Sequence, residues 1–352
     1  MSRLAPTALA AVLAALAVTA PALAQTDAAA PAELSVAEQC AQIAGAPSAE
    51  VPISADAQKA MFARLAEARS ACEAAATEGD GAALFHIATI AQARGRHDEA
   101  LDLYGQAAEA GIAAAHSRIG DYYNFGIGRT RPDVEKALAS YRAGIEQGDP
   151  AAQTTLGMMH VLGRGVSRDS DRAIALLGEA ADSGYHFAQA RLAALLLETR
   201  ASDAASVTRA RTLLASAAGQ GSLDALSQLP DLFARDLPGL PPSPFQRFYW
   251  TARAVDAGLP DALAARGLLH EFGIGTTVNP ERAADDYIAA LETGEVDADT
   301  LRRGPDGNTP RWTRETALAF QRILQDRGLY RGPLDAIVGG GTMAAARAVA
   351  NN

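Results

Sequence analysis

GIAAAHSRIGDYYNFGIGRTRPDVEKALASYRAGIEQG spans residues 111–148, and GDPAAQTTLGMMHVLGRGVSRDSDRAIALLGEAADSG continues from residue 148 to residue 184. Each stretch begins and ends at a glycine, and the same spacing runs on through the chain. Six glycines stand at steps of 37, 36, 37, 37 and 36 residues: Gly111, Gly148, Gly184, Gly221, Gly258 and Gly294. Gly79 opens the series 32 residues earlier. A fixed period in this range predicts a stacked array of structural repeats.

Small residues recur at fixed positions within every unit. The residue four before the closing glycine is always small: Ala107, Gly144, Ala180, Ala217, Ala254 and Ala290. The residue four after the opening glycine is always alanine: Ala83, Ala115, Ala152, Ala188, Ala225 and Ala262. Eleven before the closing glycine, alanine stands in five units and Arg247 in the remaining one. Since residues three and four apart share a helix face, each unit is predicted to hold two closely packed helices, A and B.

Helix B carries a start signal, and the closing glycine suits the left-handed position that ends a helix. Fifteen residues before the closing glycine stand side chains that can accept a hydrogen bond from a first-turn N–H: Asp133, Asp169, Ser206, Ser243 and Asn279. The predicted fold is therefore all-α, a right-handed α/α solenoid of about six helix-pair repeats with capping helices at both ends.

The turns between the two helices contain NFGIG at 124–128, LGRGV at 162–166 and EFGIG at 271–275. Together with GDYY at 120–123 and the Lys136-Ala137 pair, they resemble the Sel-one-like (Sel1-like) repeat, a relative of the tetratricopeptide repeat. The resemblance covers residues 79–294, although repeats four and five replace the GxG turn. It implies a concave binding face lined by helix A, and by position the candidate binding residues are Tyr123, Asn124, His160 and, at the turn, Arg164.

The amino-terminal region reads as an export signal followed by a cap. Residues 1–24 have a basic residue, an apolar run and Ala22-Leu23-Ala24, which predicts a signal peptide cleaved after Ala24 and a periplasmic protein. A transmembrane anchor is the alternative, but the run is short for a span. Residues 25–38 are predicted to be a flexible lead-in and 39–78 a helical cap.

The only two cysteines are Cys40 and Cys72. In an exported protein an even pair favours a disulfide, and the alternative is two buried thiols. The bond would pin the segment around Cys40 to a helix at 55–76 whose packing face includes Ala60, Leu65 and Ala68.

Repeat five departs most from the pattern. Residues 237–244 contain five Pro or Gly residues, Pro230 interrupts helix A, and four aromatic residues crowd the start of helix B: Phe245, Phe248, Tyr249 and Trp250. The aromatics either fill the space left by the interrupted helix or form an exposed lip that binds a partner. The former is the prediction, because large aromatic side chains are usually buried.

After Gly294 the period stops. Residues 295–313 are predicted to be a linker, and residues 314–352 resemble the small peptidoglycan-binding module of envelope proteins, with matches that include Gly328, Gly332 and Gly339. The resemblance implies wall-binding candidates at Tyr330, Asp335 and Thr342. Ala336 stands where that family has glycine. The alternative is a helical cap on the end of the array.

The net charge and the absence of known catalytic motifs in the sequence reduce the classes of function to consider. The formal net charge is −10, which indicates no sequence-wide attraction to nucleic acid. The histidines form no HExxH motif, and the glycine-rich turns lack the Gly-Lys-Ser/Thr of a phosphate loop. We therefore expect no cofactor, no metal site, no catalytic residues and no membrane span after cleavage. The predicted function is an exported non-enzymatic scaffold for a protein or peptide partner in the bacterial envelope. The alternatives are a peptidoglycan-binding protein and a subunit of an envelope enzyme.

Overall fold

The computed structural model describes residues 34–48, 55–304 and 307–351, and the predicted signal peptide lies outside them, as does most of the lead-in. Over the described residues the chain forms sixteen helices and no strand, which confirms the all-α prediction. Residues 36–352 belong to one unit, and the description below concerns that unit.

Twelve helices form the six repeats. The A helices are α3 (Gly81–Ala93), α5 (Ala113–Phe125), α7 (Pro150–Leu162), α9 (His186–Thr199), α11 (Leu223–Leu232) and α13 (Pro260–Phe272). The B helices are α4 (His97–Glu109), α6 (Val134–Glu146), α8 (Ser170–Asp182), α10 (Ala204–Gly219), α12 (Pro244–Asp256) and α14 (Pro280–Glu292). The helices that precede and follow them are α1 (Val36–Ala44), α2 (Ala55–Thr77), α15 (Arg314–Asp326) and α16 (Gly340–Ala350). Each helix of the array packs on the next one along the chain.

The small-residue stripes lie at the helix contacts, as predicted. The alanines eleven and four before the closing glycines are buried, and large side chains between them fill the core: Tyr104, Tyr141, Leu177, Leu214 and Tyr287. Glycine is needed on the facing helix where a tyrosine passes. A Cβ at Gly120 would lie 2.4 Å from Cε1 of Tyr141, and one at Gly267 would lie 2.6 Å from Cε1 of Tyr287. In repeats two and six a tyrosine ring therefore packs directly on the backbone of a glycine in the facing helix.

The A-to-B turns stack on one another along one side of the array, which we call the turn edge (residues 94–96, 126–133, 163–169, 200–203, 233–243 and 273–279). A Cβ at the second glycine of a GxG turn would collide with the first residue of helix B in the preceding repeat. A Cβ on Gly128 would lie 2.4 Å from Cβ of His97, and a Cβ on Gly275 would lie 2.0 Å from the carbonyl oxygen of Pro244. The second glycine of the GxG pattern is therefore required by the close contact between neighbouring repeats.

Four of the five predicted N-caps are confirmed. The side chains of Asp133, Asp169, Ser243 and Asn279 each accept a hydrogen bond from a first-turn N–H of their own helix. Ser206 is the exception, because α10 begins three residues earlier and is capped by Asp203. The Ser206 hydroxyl donates to the Asp203 carboxylate at 2.6 Å and lies inside the first turn. In this repeat the short A-to-B turn leaves room for a longer helix B.

The amino-terminal cap is held as predicted by a disulfide between Cys40 and Cys72, whose Cα atoms are 4.8 Å apart. Both cysteines are buried with Leu65 and Ala68 against the first A helix. Ala60 is exposed, so its predicted place on the packing face is wrong. The reason is length: α1 has 9 residues and α2 has 23, so α1 leaves much of α2 uncovered.

Packed side chains occupy the segment predicted to be a linker. Val296, Ala298 and Leu301 are buried between the last repeat and the carboxy-terminal helices. Beyond it, α15 and α16 both pack on α14. Phe320 and Leu324 of α15 are fully buried there.

Candidate functional site

The four predicted concave-face residues all make contacts at the turn edge, three of them through backbone carbonyls. The carbonyl of Tyr123 accepts from the Asp133 N–H at 2.8 Å, and the carbonyl of His160 accepts from the Asp169 N–H at 3.0 Å, so each closes its own turn. Arg164 donates to the Asn124 carbonyl at 2.6 Å, which links two repeats. Tyr123 and His160 are half-buried and Arg164 is exposed.

Asn124 has a different environment from the one expected of a binding residue. Its side chain is buried, and its Oδ1 has no hydrogen-bond partner within the described part of the chain. The structure brings Asn124 and Arg164 together across two repeats, whereas the carbonyls of Tyr123 and His160 bond within their own turns.

The three predicted wall-binding residues are brought together around a residue that the sequence did not single out, Gln321. The fully buried Gln321 amide lies 3.0 Å from Oδ1 of Asp335, 3.4 Å from the hydroxyl of Thr342 and 3.5 Å from that of Tyr330. Its Oε1 accepts from the N–H of Ala336 at 3.0 Å. Tyr330 and Thr342 are buried and Asp335 is exposed. These contacts fold the loop between α15 and α16.

A groove of about 470 Å³ lies between repeats five and six, where sequence analysis placed no binding residue. Its floor is apolar and contains Leu226, Leu259, Ala262, Leu268 and Leu301. Polar and charged side chains stand among these apolar ones: Ser227, Asp231, Arg247, Thr251, Asp261, Thr300 and Arg303. An apolar cavity with a few polar groups is the usual form of a ligand-binding site.

Two departures from the repeat pattern open this groove, and both were visible in the sequence. Pro230 lies inside α11, which has 10 residues where most of the other A helices have 13. Arg247 stands where the other five repeats have a buried alanine. A proline removes a helical hydrogen bond, and an arginine cannot enter the tight contact that alanine makes. Helices α11 and α12 therefore do not close over the space between them.

The carboxyl of Asp231 lies in this groove. Its partial burial raises the pKa of Asp231, and the nearby guanidiniums of Arg247 and Arg235 only partly offset that rise. A carboxyl with a raised pKa in a cavity is a candidate contact for a bound molecule.

The wall of the groove is held by a buried ion pair. Val296, Thr300 and Arg303 form this wall, and Arg302, which precedes Arg303 in the chain, donates to Oε2 of Glu271 at 2.7 Å. Both partners of the ion pair are buried.

Further hydrogen bonds satisfy the two partners. Glu271 also accepts from the Tyr287 hydroxyl at 2.7 Å and from the Thr313 N–H at 2.7 Å. Arg302 donates to the Pro310 carbonyl, and its guanidinium lies 4.1 Å from the centre of the Trp312 ring. The network fixes the post-repeat segment on the last repeat.

Two of the four aromatic side chains of repeat five are exposed, and the hydroxyl of one of them, Tyr249, accepts a hydrogen bond from Arg253 at 3.2 Å. Phe245 is 67% exposed and Tyr249 is 41% exposed, so the prediction that these side chains fill the core is wrong for them. Phe248 and Trp250 are half-buried, and Phe248 packs edge-on against His270. The physical reason is that α12 turns only one face to α11 and α13.

Two other carboxyls have raised pKa values, and each accepts a hydrogen bond from a hydroxyl group. Burial raises the pKa of Asp121, which accepts from the Tyr141 hydroxyl at 2.9 Å. Burial also raises the pKa of Asp149, which accepts from the Ser117 hydroxyl and caps α7. Within the described residues, no group of three or more His, Cys, Asp or Glu side chains could hold a metal ion.

Comparison with known families agrees with the repeat geometry. The family model of the Sel1 repeat matches residues 97–112, 113–149, 150–185 and 260–285. These segments fall on repeats one to three and six, while the two repeats with altered turns lie outside them. In these segments the chain is similar to the Sel1 repeat.

A relative from Neisseria meningitidis is similar to the chain in sequence. Over 223 residues the chain is 27% identical to the uncharacterized protein NMB1327 of Neisseria meningitidis serogroup B, in a match covering 63% of this chain and 46% of that protein. It therefore spans about half the length of this relative.

Two crystal structures resemble the chain. One is c5321, a protective antigen present in uropathogenic Escherichia coli strains displaying an SLR fold, with a TM-score of 0.55, 19% identity and coverage of 81% of this chain and 59% of that one. The other is a Sel1 repeat protein from Oxalobacter formigenes, with a TM-score of 0.53, 23% identity and coverage of 61% and 89%. At these identities the likeness concerns the fold. In the part of the chain that the structure describes, no helix is both long and apolar enough to cross a membrane.

Proposed function

We propose that this protein is an exported, non-enzymatic scaffold that holds a segment of a protein partner in the groove between repeats five and six. The observation that carries the proposal is the groove itself, since Pro230 and Arg247 break the repeat pattern where it opens. Sel1 repeats generally mediate protein–protein interaction, which supports a protein partner.

The shape and lining of the groove support an apolar anchor with polar flanks. A volume of about 470 Å³ accommodates one or two large apolar side chains over the leucine and alanine floor. Asp231 of α11 and Asp261 of α13, with Arg247 and Arg303 nearby, offer polar groups for the adjacent backbone of a peptide. Buried apolar anchors supply most of the affinity in such interfaces.

Filling the groove tests this function. The residue to enlarge is Ala265, which lies half-buried in the groove. The matched control is Thr155, which occupies the equivalent position of repeat three, seven residues after the opening glycine. A photo-crosslinking residue at exposed Ser227 is expected to give a discrete protein adduct in cells, and one at exposed Gln106 is not. Ala265→Trp should abolish the Ser227 adduct, whereas Thr155→Trp should leave it. An adduct that survives Ala265→Trp would show that the groove is not the binding site.

Export to the bacterial periplasm is part of the proposal. The apolar run of residues 8–20, the A-x-A sequence before Gln25 and the Cys40–Cys72 disulfide all support an oxidising compartment outside the cytoplasm. Mass spectrometry of the protein purified from a periplasmic extract should find a chain that begins at Gln25. A chain recovered with its first 24 residues in the cytoplasmic fraction would contradict export.

Wall binding through residues 314–352 is the alternative function. The loop pattern around Tyr330, Asp335 and Thr342 supports it, and the use of all three in contacts with Gln321 favours a cap instead. Co-sedimentation with purified cell-wall sacculi separates the two functions. Pelleting that is lost in Asp335→Ala would assign wall binding to the module. If the protein stays in the supernatant, residues 314–352 act as a cap on the array and do not bind the wall.

A further inference from the structure

Arginines are concentrated on the turn edge. Its six turns carry eight arginines, Arg94, Arg96, Arg129, Arg131, Arg164, Arg168, Arg200 and Arg235, and four aspartates, Asp133, Asp169, Asp203 and Asp236. Three of the aspartates cap helix B and are therefore turned toward backbone N–H groups. The edge is basic in a chain whose formal net charge is −10.

Carboxylates stand at both ends of the B helices. Beside the turn edge the first turns carry Asp98, Glu99, Glu135, Asp171 and Glu281. Of these, Asp98, Glu99 and Asp171 are paired with Arg129, Arg96 and Arg200 of the edge.

A second row of carboxylates lies at the other end of the same helices. Five of the six B helices end in an acidic residue: Glu109, Glu146, Asp182, Asp256 and Glu292. A carboxylate at a helix C-terminus is disfavoured by the helix dipole, so local helix stability does not explain this row. A 13-residue helix is about 20 Å long, and this length separates the two rows of charge.

Four of the turn-edge arginines make neither an ion pair nor a side-chain hydrogen bond within the described residues: Arg94, Arg131, Arg168 and Arg235. All four are exposed, and they belong to repeats one, two, three and five. The others are engaged. Arg96 pairs with Glu99 and Arg200 with Asp171, for example. Positive charge is therefore left open to solvent at intervals along the edge.

Apolar side chains protrude from the same edge. Phe125 is 59% exposed, Leu162 69% and Val278 62%, and Phe245 and Phe272 stand beside the turn of repeat six. Among the large apolar side chains that are exposed in the described part of the chain, these five form the main group. Arg164 lies over the Phe125 ring at 5.3 Å, so cationic and apolar groups are interleaved.

We propose that the turn edge docks this protein on an anionic lipid bilayer surface. Arginines attract anionic headgroups, and protruding apolar side chains enter the boundary between headgroups and acyl chains. The apolar groups stand beside the turns of repeats two, three, five and six rather than in a cavity, which suits an extended surface better than a single peptide. The second row of carboxylates lies about 20 Å away, well beyond the ~8 Å screening length of physiological salt, so it does not oppose the contact.

Vesicle flotation tests the proposal with the chain from Gln25, which keeps the whole of the Val36–Asn352 unit. Vesicles of phosphatidylcholine with about 30% phosphatidylglycerol should carry the protein at low salt, and pure phosphatidylcholine vesicles should not. The edge variant is Arg131→Gln, Arg168→Gln and Arg235→Gln. At about fivefold per arginine, it should lower the partition coefficient on the order of 100-fold.

A matched variant controls for net charge. Arg142→Gln, Arg211→Gln and Arg322→Gln remove three exposed arginines that lie within helices, away from the turn edge, and should bind as the unmodified chain does. Leu162→Ser with Phe245→Ser should weaken binding without altering its salt dependence. Equal losses in both arginine variants, or no flotation of the unmodified chain, would overturn the proposal. So would binding to soluble poly-glutamate alone that is lost in the edge variant, because the edge would then recognise an acidic polypeptide.

Discussion

Ala336 adopts a left-handed backbone conformation with φ 64°, and among the described residues it is the non-glycine position with positive φ. This conformation brings its N–H to Oε1 of Gln321, where the loop between α15 and α16 is anchored. Glycine adopts it without the steric cost of a Cβ. Ala336→Gly is therefore expected to raise the free energy of unfolding by about 1 kcal/mol, measured by urea denaturation.

A glycine placed in a regular helix provides the control for that substitution. Ala345→Gly in α16 should lower the free energy of unfolding by about 1 kcal/mol, since glycine is a poor helix former. If Ala336→Gly instead lowers the free energy of unfolding, the contacts of the Ala336 methyl group stabilise the fold by more than the left-handed backbone conformation destabilises it.

Gly275 and Gly148 share a positive φ but differ in the space around them. A Cβ on Gly275 would lie 2.0 Å from the Pro244 carbonyl oxygen, whereas one on Gly148 would meet nothing within 4 Å. We expect Gly148→Ala to cost about 1–2 kcal/mol of unfolding free energy from backbone strain alone. Gly275→Ala should cost about 3 kcal/mol or more, because two backbones must also separate. Equal thermal unfolding midpoints for the two variants would argue against close packing of the turn edge.

At the scale of elements, the Glu271–Arg302 pair attaches the post-repeat segment to α13. Removing one partner leaves a buried charge uncompensated, so Arg302→Met and Glu271→Val should each cost about 3–5 kcal/mol of unfolding free energy. The double variant should recover much of that loss, because no charge remains buried. A double-mutant cycle measured by chemical denaturation gives the coupling directly. Additive effects would show that the two groups act independently.

Helix α3 meets the amino-terminal cap at His86, whose Nε2 lies 3.0 Å from the Gly45 carbonyl oxygen. Burial lowers the pKa of His86, so the folded protein binds this proton less readily than the unfolded chain, where the pKa is about 6.5. The contribution of His86 to stability is thus complete above pH 6.5 and is lost as the pH falls below it. Relative to His86→Gln, the native protein should lose up to about 1.4 kcal/mol per pH unit there.

Comparison with His86→Gln is needed because other groups of the protein also bind or release protons in this pH range. Asp121 and Asp149 have raised pKa values, and their protonation favours folding as the pH falls. Urea denaturation of both proteins at several pH values between 7.5 and 5 removes this shared background. Parallel pH profiles would mean that His86 binds its proton equally well in the folded and unfolded chain.

At the scale of the whole molecule, the disulfide determines whether the array begins on a stable cap. It closes a loop with a sequence separation of 32 residues. In the chain-entropy model such a loop contributes about 3–4 kcal/mol. Cys40→Ser with Cys72→Ser should lower the free energy of unfolding by that amount, and reduction of the native protein should match it. A much smaller loss in both would indicate that the packing of α1 and α2 suffices.

The repeat architecture follows directly from the sequence. The period, the two alanine stripes, four of the five N-caps and the disulfide pair depend on residue type and spacing, which the chain displays linearly. The Ser206 prediction was wrong because Asp203 offers an equally good cap three residues earlier, where a shorter turn brings the chain into position. Local chemistry alone does not choose between two adjacent caps.

The binding surfaces depend on the tertiary structure, because the neighbouring elements decide which faces are covered. Pro230 and Arg247 marked repeat five as unusual, but only the packing of α11, α12 and α13 with residues 295–304 shows a groove there. Likewise, Asn124 is buried, and Gln321 gathers Tyr330, Asp335 and Thr342 across sequence separations that no local pattern records. The sequence by itself determined the helices and their order. The contacts between repeats decided which side chains remain free to bind.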